Sequence, residues 1–164
     1  MRKTVTITYP ADPTRVGAML SDGEYQRLRA SRLGLDDADV AVTPAGGGFT
    51  ASVSGSVASN RLPSVARRFV RSAVSFTVSE TWSAPEADGA RTGTLTVSAT
   101  GAPVKAGATG SIAADGERTR LTLDLELSVS VPLVGRSIED KALSMTDRVV
   151  QDEERRGAAW LAEH

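Results

Sequence analysis

Between residues 118 and 131 the alternation is so strict that only a β-strand with one buried face fits it. Leu121, Leu123, Leu125, Leu127, Val129 and Val131 fall on one side, and Arg120, Thr122, Asp124, Glu126, Ser128 and Ser130 on the other. Pro132 then removes a ladder donor, and Gly135 permits a sharp change of direction. A helical rhythm follows, with Ile138, Ala142, Met145 and Val149 on one stripe; its start is either a capping box of Ser137 with Asp140 or a few residues earlier. A helix over 138–161 would be about 36 Å long. Such a helix needs an apolar sheet to lie on.

The rest of the chain supplies that sheet. Val5, Ile7 and Tyr9 alternate with threonines in a first strand. Asp12 before Pro13 caps a short helix carrying Val16, Met19 and Leu20; Asp22 caps a second with Tyr25 and Leu28, and Gly34 ends it. From Asp39 onward strands dominate: a short one ending at Pro44, a glycine hairpin at Gly46–Gly48, then 49–57, 74–82, 92–100, 105–114 and 118–131. Seven strands with hairpin-length links predict an antiparallel sheet, roughly 34 Å wide at strand spacing, with one wet face. The predicted helix is long enough to cross it.

Composition narrows the function. With no cysteine, disulfides and thiolate metal sites are excluded. Nineteen basic against 20 acidic residues give a net charge of −1, which lacks the basic excess of a nucleic-acid binder. The N-terminus alternates threonine with apolar residues instead of building a signal-peptide core, and no apolar run approaches bilayer-spanning length, so a single cytoplasmic domain over 1–164 is expected. The one histidine, His164, is terminal, so a histidine-based triad or metal site inside the fold is not expected. No cofactor motif is present either, and no nucleophile elbow accompanies the many serines.

The order of one strand, two short helices, six strands and a long C-terminal helix resembles the helix-grip fold of the START-like (SRPBCC) superfamily: an α+β fold with a seven-stranded curved antiparallel sheet wrapped on the last helix. Within it, VSETW at 78–82, PLVGRSIE at 132–139 and the late Trp160 resemble the bacterial domain of unknown function 2505 family. The resemblance implies a cavity between sheet and helix that takes a small apolar or amphipathic molecule, such as a lipid or polyketide. It carries over no catalytic residues.

Side-chain size argues for a cavity independently. Ala51, Gly55, Gly93, Ala99, Ala108 and Gly110 lie on inward rows, and the chain has only three Phe, two Tyr and two Trp, so the concave face is expected to be under-filled. The alternative is that these small residues permit close packing or curvature. The expected lining is Tyr9, Val53, Phe76, Val78, Glu80, Trp82, Val97, Ala99, Ile112, Leu123, Leu125, Met145 and Val149.

Glu80 shares a face with Val78 and Trp82, where a carboxylate is desolvated and calls for a cation. It either pairs structurally with an arginine or serves a ligand head group or proton transfer. Asp152 and Glu153 interrupt the helix stripe one turn beyond Val149 and read as a solvated face shared with Arg155 and Arg156, with a position facing the cavity as the less favoured alternative. Residues 60–74 mix Leu62, Val65, Phe69 and Val70 with Arg61, Arg67, Arg68 and Arg71. They read as a loop over the sheet edge, with a lid or membrane contact as the less favoured alternatives. A cyclase-like cavity enzyme and a ligand-free interaction domain stay open as other functions.

Overall fold

Asp12 and Asp22 act as their positions predict. In a computed structural model that describes residues 1–62 and 64–164, Asp12 accepts from the amides of Thr14 and Arg15, both at 3.0 Å, and starts helix α1 (Pro13–Leu20). Asp22 accepts from Glu24 at 2.8 Å and Tyr25 at 3.1 Å and starts α2 (Gly23–Ala30). These caps satisfy amides that no helical carbonyl can reach.

The strands are β1 (Arg2–Tyr9), β2 (Asp36–Ala45), β3 (Gly48–Val57), β4 (Val74–Trp82), β5 (Arg91–Thr100), β6 (Val104–Asp115) and β7 (Arg118–Val129). They form one antiparallel sheet in the order β1-β7-β6-β5-β4-β3-β2. Pro44 does not end β2 but pairs with Phe49, which an edge strand tolerates because its outer side needs no donor. Between β3 and β4 lie a 3-10 turn (Ser59–Arg61) and the four-residue helix α3 (Ser64–Arg67); Val70 is buried, while Val65 and Phe69 are exposed. Pro63 of this connection lies outside the described residues.

The C-terminal helical arm runs as α4 (Gly135–Ser144) and α5 (Thr146–Glu163). It begins earlier than the proposed capping box, and Ser137 caps nothing; Val134 holds the N-cap position with no side-chain bond. Glu139 ties the start of α4 to the sheet instead, accepting from the Val129 amide at 2.8 Å. The arm is interrupted at Met145, although no Gly or Pro lies between residues 136 and 156. The hydroxyls of Ser144 and Thr146 bond back to the carbonyls of Lys141 (2.7 Å) and Leu143 (2.8 Å), competing with the helical ladder at that point.

The arm packs most closely on one side of the sheet, α4 against β7 and α5 against β1. Gly157 lets α5 approach: a Cβ there would lie 2.5 Å from the Tyr9 ring. The core gathers at this end, around Ile7, Tyr9, Val16, Leu20, Tyr25, Trp82, Ile112 and Leu121. Leu121→Ala is expected to cost about 2 to 5 kcal/mol, as truncation of a packed leucine does, since Leu121 is 2% exposed between Ile7 and Ile112. Ser128→Ala, on the wet face, should change stability by less than about 0.5 kcal/mol. Urea denaturation of the two variants checks the face assignment.

Candidate functional site

The arm packs most closely on β1 and β7, and between it and the middle of the concave face lies a cavity of about 520 Å³. The register explains its floor. Val53 pairs with Val78, Ala51 with Glu80, and Glu80 with Leu95, so one apolar band runs across β3, β4 and β5. Leu123 and Leu125 continue it on β7, and Val5 and Ile7 on β1. Ala142, Met145 and Val149 form the opposite wall. Met145 is 52% and Val149 50% exposed, so the helix stripe borders the mouth instead of being packed away.

Seven of the expected lining residues meet here: Val53, Val78, Glu80, Leu123, Leu125, Met145 and Val149. Six do not line the cavity. Tyr9, Trp82 and Ile112 are 0%, 2% and 1% exposed and belong to the closed core at the α1–α2 end. Phe76 and Ala99 share the inward face but pair with each other one step beyond the lined band, while Val97 pairs with the lining Val78 and is itself not among the lining residues. The small residues divide in the same way. Ala51 lines the cavity, whereas Gly93 and Gly110 seat the Trp82 indole, which would be 2.5 and 2.8 Å from a Cβ at those positions. A Cβ at Gly55 would meet Leu35 at 2.8 Å. At these three glycines close packing, not empty space, explains the missing side chain.

One end of the cavity is polar, and here the sequence reading of Glu153 is overturned. Glu153 is 2% exposed and faces inward, not to solvent. Its Oε1 accepts from the hydroxyls of Tyr9 at 2.8 Å and Tyr25 at 2.9 Å. Arg29 Nε lies 3.2 Å from the same oxygen, and Arg32 Nη2 bonds Oε2. Asp152, more exposed, holds Arg156 at 2.7 Å and also pairs with Arg155, yet it lines the cavity too and lies 3.5 Å from Arg32. Glu80 turns inward and pairs with Arg29 Nη1; it also accepts from Gln26 Nε2 at 2.8 Å and Trp82 Nε1 at 3.3 Å. The structural pairing foreseen for Glu80 is therefore present.

Two carboxylates, Glu80 and Glu153, face two guanidinium groups, Arg29 and Arg32, and balance them in charge; Asp152, 3.5 Å from Arg32, has Arg155 and Arg156 as its own closer partners. Burial alone would raise Glu153, but Arg29 and Arg32, together with the bonds from Arg32 and Tyr9, hold its carboxyl down to about 2. Burial first, then the Glu153 charge, pushes both tyrosine hydroxyls upward, so they stay protonated donors. Burial works against the charge on Arg29, yet Glu80 and Glu153 outweigh it and raise its pKa.

Sequence alone does not single out Arg29, Arg32 and Gln26. Two inward carboxylates demand cations, and the spacing of Tyr25, Gln26 and Arg29 on α2 is the available signal, since positions four apart share a helix face. Trp160 contributes from outside, packing edge-to-face on Tyr25 with ring centroids 5.4 Å apart. Among the described residues no group of three His, Cys, Asp or Glu is placed to hold a metal ion, and no helix is long and apolar enough to cross a membrane.

Comparison with known proteins agrees with this architecture. A family model described as "Protein of unknown function (DUF2505)" matches residues 4–161. No curated protein matches the chain in sequence. Among solved structures, a Thermus thermophilus protein is similar at 15% identity and a TM-score of 0.62, covering 96% of this chain and 97% of that one. A START superfamily protein from Mycobacterium smegmatis is similar at 15% identity and 0.59, covering 94% and 95%. A Thalictrum norcoclaurine synthase point mutant in complex with a transition-state analogue is similar at 11% identity and 0.53, covering 100% and 96%. The fold is START-like.

Proposed function

The chain belongs to the DUF2505 family, and we propose that it binds a small apolar or amphipathic molecule, of lipid or polyketide kind, in the cavity between sheet and C-terminal arm. The observation that carries this is the cavity itself. At about 520 Å³, with valine and leucine side chains from β1, β3, β4, β5 and β7 on its floor, it has the size and lining of a small-molecule pocket. Its half-exposed mouth residues give a route in from solvent. Glu80 and Glu153 favour binding over proton transfer, because each is held by arginine and already accepts several hydrogen bonds.

Titration with an uncharged solvatochromic dye, Nile red, tests the reading. The dye should bind saturably with a blue-shifted emission. Val149→Trp, which places an indole at the mouth from an exposed helical position, should weaken binding about tenfold or more while the thermal midpoint changes little. Absence of saturable binding, or binding indifferent to Val149→Trp, would overturn the proposal.

A further inference from the structure

A count of donors and acceptors at the polar end points to the chemistry of the ligand's inner end. Glu80 and Glu153 have both oxygens engaged, and Gln26 donates to Leu20 O and Glu80 and accepts from Arg29 at 3.2 Å. Arg32 spends Nε on the Arg29 carbonyl, Nη2 on Glu153, and Nη1 at 3.5 Å on the Val149 carbonyl and the Asp152 carboxylate. Arg29 uses Nε on Glu153 and Nη1 on Gln26 and Glu80. Its Nη2 has no acceptor among the described residues, and it is not one of the fully buried unpaired atoms; Arg29 lines the cavity and its side chain is 20% exposed. An unused guanidinium edge therefore remains accessible beside an apolar cavity.

Resting on the binding function proposed above, we infer that the ligand carries an uncharged hydrogen-bond acceptor, a ketone, ester or amide carbonyl, which Arg29 Nη2 receives at the inner end of the cavity. The acceptor is uncharged because the charge of Arg29 is already met. It lies between Glu80 and Glu153, and with Arg32 the four groups sum to zero. A carboxylate entering there would lose its hydration without gaining a free countercharge, and an ammonium would meet a donor edge. A neutral carbonyl meets neither cost and satisfies a donor that otherwise faces apolar walls.

Displacement of Nile red from the whole protein by four probes with the same ten-carbon chain tests this: the alkane, the methyl ketone, the carboxylate and the primary ammonium. The ketone should displace the dye at least about tenfold more tightly than the alkane, a factor equal to about 1.4 kcal/mol, even though partition from water alone favours the alkane. Arg29→Lys, which keeps a cation between the two carboxylates but removes the fork, should bring the ketone-to-alkane ratio to about one. If the dye binds and the ketone is no tighter than the alkane, or the carboxylate is tightest, the acceptor inference is overturned while the cavity reading stands. If neither dye nor any probe binds, the cavity reading falls. Should Arg29→Lys fail to fold, the order of the four probes on the natural chain decides by itself.

Discussion

A chain truncated after Met145 should show no cooperative thermal transition. Loss of α5 removes Leu161 from the core cluster and withdraws Gly157 from the face of Tyr9, which is otherwise 0% exposed. It also removes the Arg15 bond to Leu161 O at 2.8 Å and the Glu154 bond to the Thr8 amide at 2.9 Å, which tie the arm to α1 and β1. Arg29 and Arg32 would then lose Glu153, and the tyrosine hydroxyls would lose their common acceptor. Together these losses exceed the roughly 5 to 15 kcal/mol by which a domain is usually stable. Near-ultraviolet circular dichroism and calorimetry on the truncated chain check the expectation. A sharp melt with native-like aromatic signals would mean that the sheet and first two helices form a self-sufficient unit, and the role assigned to α5 would be wrong.

What could be read in the sequence was local. The strict alternation of β7 and the caps Asp12 and Asp22 depend on residues within one element, so pattern alone places them. The interruption at Met145 was hidden, because the apolar stripe runs through it and the cause is side-chain hydroxyls turning back on the backbone. Gly93 and Gly110 announced missing side chains but not their occupant, since Trp82 arrives from a neighbouring strand. Seven of the thirteen expected lining residues meet at the cavity, five of them placed by strand parity, yet parity says which face a residue joins and not how far along that face the cavity extends. Phe76 and Ala99 have the correct parity and lie one step past the lined band.

Glu153 shows the same limit most sharply, and its replacement carries the second large expected effect. Arg155 and Arg156 lie close by in sequence and suggest a solvated helical face, but the groups that hold Glu153 come from β1, α2 and the turn after α2, more than 120 residues earlier. Glu153→Ala should destabilise the protein by about 3 to 5 kcal/mol, because removing one side of a buried ionic cluster leaves the other uncompensated. The pH dependence separates this from simple packing loss. The folded-state pKa, about 2, lies below the ordinary 4.5, so the folded protein resists protonation of this group more than the unfolded chain does. Its contribution is therefore complete above about pH 4.5 and is lost as pH falls through about 2, amounting to about 3 kcal/mol at 1.36 kcal/mol per unit. Asp152 is also lowered, burial opposing and Arg155 and Arg156 prevailing, so part of the acid loss survives in any Glu153 variant. Urea unfolding of the natural chain and of Glu153→Gln, at neutral pH and at steps down to about pH 2, should show a steep fall for the first and a shallower one for the second. Parallel curves would mean that the buried carboxylate does not hold its charge against Arg29 and Arg32, and the charge balance that makes the polar end of the cavity neutral would fail with it.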